Sequence, residues 1–315
     1  MNRIPSVNLQ DFISGDPDRK QKFIDETGKA YEEIGFVALK GHFLDDQLVG
    51  NLYKEIKNFF SLPIDTKRAY EIEGIGGQRG YISFGKESAK GKKEGDLKEF
   101  WHFGQYVDDD QERAKEYPEN VTVNELSEFN NIGKETYQML EKTAKYVLRA
   151  LALYLDLKET YFDDYIHNGN SILRPIHYPP ILAEPANAVR AAAHGDINLI
   201  TLLMGAQGRG LQVQNNDGDW IDAMANPDEL MINVGDMLSR HTNNKLKSTI
   251  HRVVNPPREL WGTSRYSIPF FMHPISEMKL DVLESCINDE NPKQFDDITA
   301  GEFLNERLIE LGLKK

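Results

Sequence analysis

Cysteine is almost absent from this chain: Cys286 stands alone among 315 residues, which excludes an internal disulfide and suits a reducing compartment. It reads as a small packing residue, not as a nucleophile. No apolar run approaches the roughly 18 residues that a membrane span requires. The opening stretch Met1-Asn2-Arg3-Ile4-Pro5-Ser6 lacks the apolar core of a signal peptide. A cytoplasmic protein with no membrane partner is therefore expected. Positive charge is also short: 37 Lys and Arg against 50 Asp and Glu leave a formal net charge of -13. Neutralising a phosphate backbone takes clustered cations, so no nucleic-acid partner is expected either. Nothing in the sequence fixes an oligomeric state, and a monomer suffices.

What is present is a helical first half followed by short strands. Asp16-Pro17 makes a helix start, with Asp as N-cap and Pro in the first turn, ahead of Phe23, Ile24, Thr27, Tyr31 and Ile34 at helical spacing. Gly35 should end that helix. A second helix is predicted through Leu44, Leu48, Leu52, Ile56, Phe59 and Phe60, and a longer one from about Asn124 to Leu155. After about Ser171 come short strand-like runs with turn signals such as Asn216-Asp217-Gly218-Asp219 and Asn243-Asn244, the pattern of an antiparallel jelly roll. The predicted fold is mixed α and β, with a double-stranded β-helix core, an N-terminal helical annex and supporting helices. One domain is expected over 1–315: a helix and strand region to about 170, the core over about 171–275, and a tail with a helix over 276–315. The segment Gly85 to Gly95, rich in lysine, is a candidate lid or a solvated loop.

The chemistry concentrates in the second half. His194-Gly195-Asp196 places two metal-ligand types one residue apart, and they share a side only if the backbone is extended. The apolar run Ile197 to Met204 and the strand-like Ser248 to Val254, which carries His251, agree with that. Two imidazoles and a carboxylate on one face of an octahedral metal leave the opposite face open, as non-haem iron oxygenases require. Further on, Arg265-Tyr266-Ser267 again spaces two polar residues by two. A guanidinium fork beside a hydroxyl suits the far carboxylate of a dicarboxylic acid.

The stretch from Tyr178-Pro179-Pro180 through His194-Gly195-Asp196, Gly210-Leu211-Gln212-Val213, Asn233-Val234-Gly235-Asp236, His251-Arg252-Val253 and Arg265-Tyr266-Ser267 resembles the isopenicillin N synthase-like Fe(II)/2-oxoglutarate-dependent dioxygenases. The resemblance extends to Ile4-Pro5-Ser6-Val7-Asn8-Leu9, Glu33 to Leu39 and Phe59-Phe60-Ser61-Leu62-Pro63 near the N-terminus. It implies that His194, Asp196 and His251 hold Fe(II). It also implies that Arg265, Ser267 and Tyr178 bind 2-oxoglutarate, and that O2 oxidises, most often hydroxylates, a small organic molecule with release of succinate and CO2. His177 departs from the pattern of many plant members, which carry an aromatic residue there. Substrate candidates are Arg174, His177, Arg190, Phe271 and His102, with His273 beyond them. On a continuous strand, Arg174 and His177 would face opposite sides, so one of them at most should point inward. Three other readings compete: an iron oxidase of the same fold that does not use 2-oxoglutarate, a non-catalytic jelly-roll binding protein, and a structural zinc site. Structural zinc usually takes four protein ligands with cysteine prominent, and three are visible here.

Overall fold

Asp16 accepts hydrogen bonds from the Asp18 and Arg19 amides at 2.9 and 3.2 Å, with Pro17 next in line, and so starts the helix Pro17–Glu33. Gly35 stops it in the left-handed region at φ 71°, where an added Cβ would lie 2.1 Å from the Lys247 carbonyl oxygen. The computed structural model describes residues 4–86, 96–185, 188–205 and 210–310. Most of the segment expected to form a lid, 87–95, lies outside the described residues. The helix predicted through Leu44 to Phe60 is Asp46–Phe60, capped by Asp45 onto the Leu48 amide at 2.7 Å. The long helix is Ser127–Tyr154, slightly shorter at both ends than its periodicity suggested. Its stripe of Phe129, Tyr137, Leu140, Val147 and Leu151 is fully buried, each side chain stabilising the fold by about 1.5–3 kcal/mol. None of the described helices is long and apolar enough to cross a membrane.

The strands, in chain order, are β1 (Ser6–Asn8), β2 (Phe36–Lys40), β3 (Gly80–Ile82), β4 (Glu99–Gly104), β5 (Ile172–Leu173), β6 (Ile176–Tyr178), β7 (Ala191–His194), β8 (Ile200–Met204), β9 (Leu211–Gln214), β10 (Trp220–Asp222), β11 (Leu230–Val234), β12 (His251–Val253) and β13 (Arg265–Met272). The larger sheet runs β1-β2-β11-β8-β13-β5-β4-β3, with β6 bridging β13 and β4. The smaller runs β10-β9-β12-β7. Together they make the double-stranded β-helix predicted above, with helices against the larger sheet.

Side-chain alternation along β13 explains how this frame places a site. Ile268, Phe270 and Met272 belong to the helix-backed core, where Phe270 meets the Tyr137 ring edge-on at 5.0 Å. The residues of opposite parity, Arg265, Ser267 and Phe271, therefore face the interior between the sheets.

Candidate metal centre and acid clamp

His194 and His251 meet because β7 and β12 pair antiparallel with these two residues directly opposite, their ring centroids 4.5 Å apart. His194 donates Nδ1–H to the Ala192 carbonyl at 2.7 Å, and His251 donates to that of Thr249 at 3.2 Å. A carbonyl only accepts, so both protons sit on Nδ1 and both Nε2 lone pairs remain available. Those Nε2 atoms lie 4.0 and 3.8 Å from Asp196 Oδ1.

The extended run predicted from Ile197 becomes strand only at Ile200. The Asn198 side chain bonds the Ile200 carbonyl at 3.2 Å and Thr201 Oγ1 at 2.9 Å, holding the chain in a bend before the strand. Asp196 thus sits just past the end of β7, where the chain crosses between sheets. Its Oδ2 accepts from Thr201 Oγ1 and Asn233 Nδ2, each at 2.7 Å, which leaves Oδ1 for the histidines. One donor atom from each of the three residues lies within 4.8 Å of the others. With their other polar atoms already satisfied, these residues fit a divalent ion that takes two imidazoles and one carboxylate.

Charge behaviour agrees with that fit. Burial pushes the Asp196 carboxyl up, but His251, His194 and the bonds from Asn233 and Thr201 outweigh it and hold the group below its ordinary value. His194 is held down by surrounding protein and then by the His251 charge. Because 45% of its side chain still meets solvent, the neighbouring charge is the firmer cause.

The candidate acid clamp comes from the larger sheet. Arg265 and Tyr178 are directly paired across β13 and β6, with the guanidinium carbon 5.1 Å from the ring centroid. Nε, Nη1 and Nη2 of Arg265 are all buried with no hydrogen-bond partner. A buried charge left without an anion costs several kcal/mol, and an incoming carboxylate would satisfy these nitrogens. Ser267 is buried on the same face. Tyr53, from the helix Asp46–Phe60, stands close by: burial pushes its hydroxyl up to about 12 against the opposing pull of Arg265.

The remaining candidates separate. Arg174 lies in the break between β5 and β6, with its guanidinium carbon 4.6 Å from the Phe100 ring and 5.0 Å from that of Phe271. His102 donates from Nδ1 to the Gly77 carbonyl at 2.7 Å, so its Nε2 accepts from Arg174 Nε at 2.5 Å. His273 is pushed down to about 4 by burial, with Asp196 and Arg174 acting on it in opposite senses. Arg174 therefore links His102, Phe271 and His273 into one group, with the Asp196 carboxylate acting on His273. His177 does not join them, a correction to its place among the substrate candidates. It alternates with Tyr178, stacks on Tyr266 at 4.8 Å and donates from Nδ1 to Glu99 at 2.7 Å. The Arg190 guanidinium carbon lies 5.6 Å from the Tyr178 ring centroid, beside Arg265.

Sequence reasoning missed Thr201, Asn233 and Tyr53. A lone asparagine within the buried strand Leu230–Val234 was a readable signal, since a buried amide needs a partner.

Two family models match the chain: the N-terminal domain of the non-haem dioxygenase in morphine synthesis over residues 4–125, and the 2OG-Fe(II) oxygenase superfamily over residues 169–274. A 2-oxoglutarate-dependent dioxygenase of Monascus ruber, citB, is 31% identical over 320 residues, covering 96% of this chain and 94% of its own. A 2OG-Fe(II) oxygenase family protein from Caulobacter crescentus superposes with a TM-score of 0.89 at 41% identity, over 99% of this chain and 100% of that one. A full-length Neurospora crassa protein solved in complex with alpha-KG gives 0.85 at 27% identity over 97% and 95%. The same Neurospora protein with alpha-KG and thymine gives 0.84 at 27% over 97% and 96%. The chain belongs to the 2OG-Fe(II) oxygenase superfamily: it is an enzyme that uses iron, 2-oxoglutarate and O2 to oxidise a small molecule.

Proposed function

We propose that His194, Asp196 and His251 hold the iron, that Arg265, Ser267 and Tyr178 hold the distal carboxylate of 2-oxoglutarate, and that the substrate lies along His102, Arg174, Phe271 and His273. The observation that carries this reading is the Arg265 guanidinium, buried with every nitrogen unpaired on the strand face that continues to Phe271. Bound iron and 2-oxoglutarate supply the oxidising chemistry, in which the keto acid leaves as succinate and CO2 while O2 is consumed.

The chain's own residues position and desolvate the reactants. The Ala192 and Thr249 carbonyls fix both histidine tautomers, and Thr201 with Asn233 fixes which carboxylate oxygen of Asp196 faces them. Arg265 supplies a planar fork for a carboxylate, with Ser267 and Tyr178 each able to donate one further hydrogen bond. The substrate wall is aromatic and cationic, with the Arg174 guanidinium close to Phe100 and Phe271. That lining favours a small planar ring carrying acceptor atoms, and thymine, which the Neurospora protein holds, is the first compound to try. Hydroxylation is the proposed outcome. The test is oxygen-dependent oxidation of small ring compounds, matched to succinate formation. Loss of turnover in Asp196→Ala together with loss of bound iron supports the assignment. Full iron retention in that variant contradicts it.

A further inference from the structure

Beside the clamp lies a second buried cation. Arg190 immediately precedes β7 and is 4% exposed. Its guanidinium and that of Arg265 both lie near the Tyr178 ring, at 5.6 and 5.1 Å from the centroid. Nε of Arg190 is buried without a partner, and Nη2 donates only a long hydrogen bond, 3.5 Å, to the Thr263 carbonyl. Neither arginine has an ion pair with a carboxylate among the described residues, although the chain carries 50 Asp and Glu.

Two like charges desolvated beside one another repel, and no carboxylate among the described residues compensates them. Burial and the Arg265 charge accordingly act together to disfavour the charged form of Arg190. A salt-bridged structural arginine would be surrounded by acceptors, whereas this one shares its surroundings with an arginine that also lacks them. One carboxylate has two oxygens and about four acceptor sites, enough for a bidentate fork, one donor from a second guanidinium and one hydroxyl.

We infer that Arg190 is a second binding residue for the distal carboxylate of the keto-acid cosubstrate, so that the pocket is a two-guanidinium site selective for dicarboxylates. The inference rests on the placement of that carboxylate at Arg265 proposed above. It assigns Arg190 to the cosubstrate and not to the substrate. It also requires that succinate, which keeps the same carboxylate, use the same two arginines.

The experiment is calorimetric titration, under anaerobic conditions, of the iron-loaded protein with 2-oxoglutarate, with succinate, and with 2-oxopentanoate, which has the same chain length but no distal carboxylate. Arg190→Met should weaken 2-oxoglutarate and succinate by about tenfold or more while leaving 2-oxopentanoate unchanged. Arg190→Lys should recover part of the loss. Equal affinity of wild type and Arg190→Met for 2-oxoglutarate would overturn the inference, as would equal weakening of all three ligands, which is the mark of a merely structural role. The underlying placement fails separately, if Arg265→Ala binds 2-oxoglutarate as tightly as the wild type.

Discussion

The strand pair β6 and β13 carries a polar cluster on each face, and the two are finished differently. On the outer face, Glu99 accepts from Lys67 Nζ at 2.8 Å, from His177 Nδ1 at 2.7 Å and from the Tyr81 hydroxyl, so that a buried ion pair is fully clothed. On the inner face, the three guanidinium nitrogens of Arg265 are enclosed but have no hydrogen-bond partner. Neighbouring residues of one short strand, His177 and Tyr178, are divided between them. The difference teaches that burial of a polar side chain does not mark a functional site. What sets Arg265 apart is that all three nitrogens of one guanidinium are enclosed and unpaired.

The sharpest way to break this contrast is to remove one member from each face. Glu99→Leu strands Lys67, whose side chain is 8% exposed, and should cost about 3–5 kcal/mol of stability in denaturant titration. What remains folded should bind 2-oxoglutarate as before. Arg265→Ala is expected to reverse the pattern. The ligand-free protein should lose no more than about 1 kcal/mol, since an unpaired buried charge has gone, while 2-oxoglutarate binding weakens by about 2–5 kcal/mol. A ligand-free Arg265→Ala protein as unstable as Glu99→Leu would abolish the distinction.

A third variant extends the comparison to the metal end, where polar atoms are satisfied except for those a metal would take. Asn233→Ala removes one of two hydrogen bonds that hold Asp196 Oδ2 and should weaken Fe(II) binding by about 10- to 100-fold with no change in the clamp. Competition with a chelator of known affinity reads this directly. The smallest effect expected is on pH dependence. Burial pushes Glu99 up, but His177, Lys67 and Tyr81 outweigh it and hold it below its ordinary value of 4.5. Its contribution is therefore complete above the unfolded value and is lost as pH falls through the lower folded one. Denaturation midpoints from pH 5 down to pH 3 should fall more steeply in the wild type than in Glu99→Gln.

The helices were legible because caps and apolar spacing are local: Asp16, Pro17 and Gly35 each do what their chemistry dictates. The grouping of His194 with Asp196, and of Arg265 with Ser267, was legible because each pair falls at period two. What the sequence could not show was pairing at long range. The direct register of His194 with His251, and of Arg265 with Tyr178, depends on which strands meet. That His177, of the pair Arg174 and His177, is the one facing away was not readable, because its partner, Glu99, lies on another strand, β4. Arg174 was expected within a strand, but the chain breaks between Leu173 and Ile176, so alternation did not govern where it points. Asn198 delayed the strand after Asp196 through its own hydrogen bonds, an effect that apolar periodicity does not register.

The central claim is that the metal triad and the empty-handed arginine serve one ligand between them. It is tested most directly by adding Fe(II) and then 2-oxoglutarate anaerobically to metal-free protein while recording the visible charge-transfer band of the iron-keto acid chelate. The band should appear only when both are present, be absent in Asp196→Ala, and need far more 2-oxoglutarate in Arg265→Ala. A band that saturates at the same 2-oxoglutarate concentration in wild type and Arg265→Ala, or one that survives in Asp196→Ala, would contradict the account.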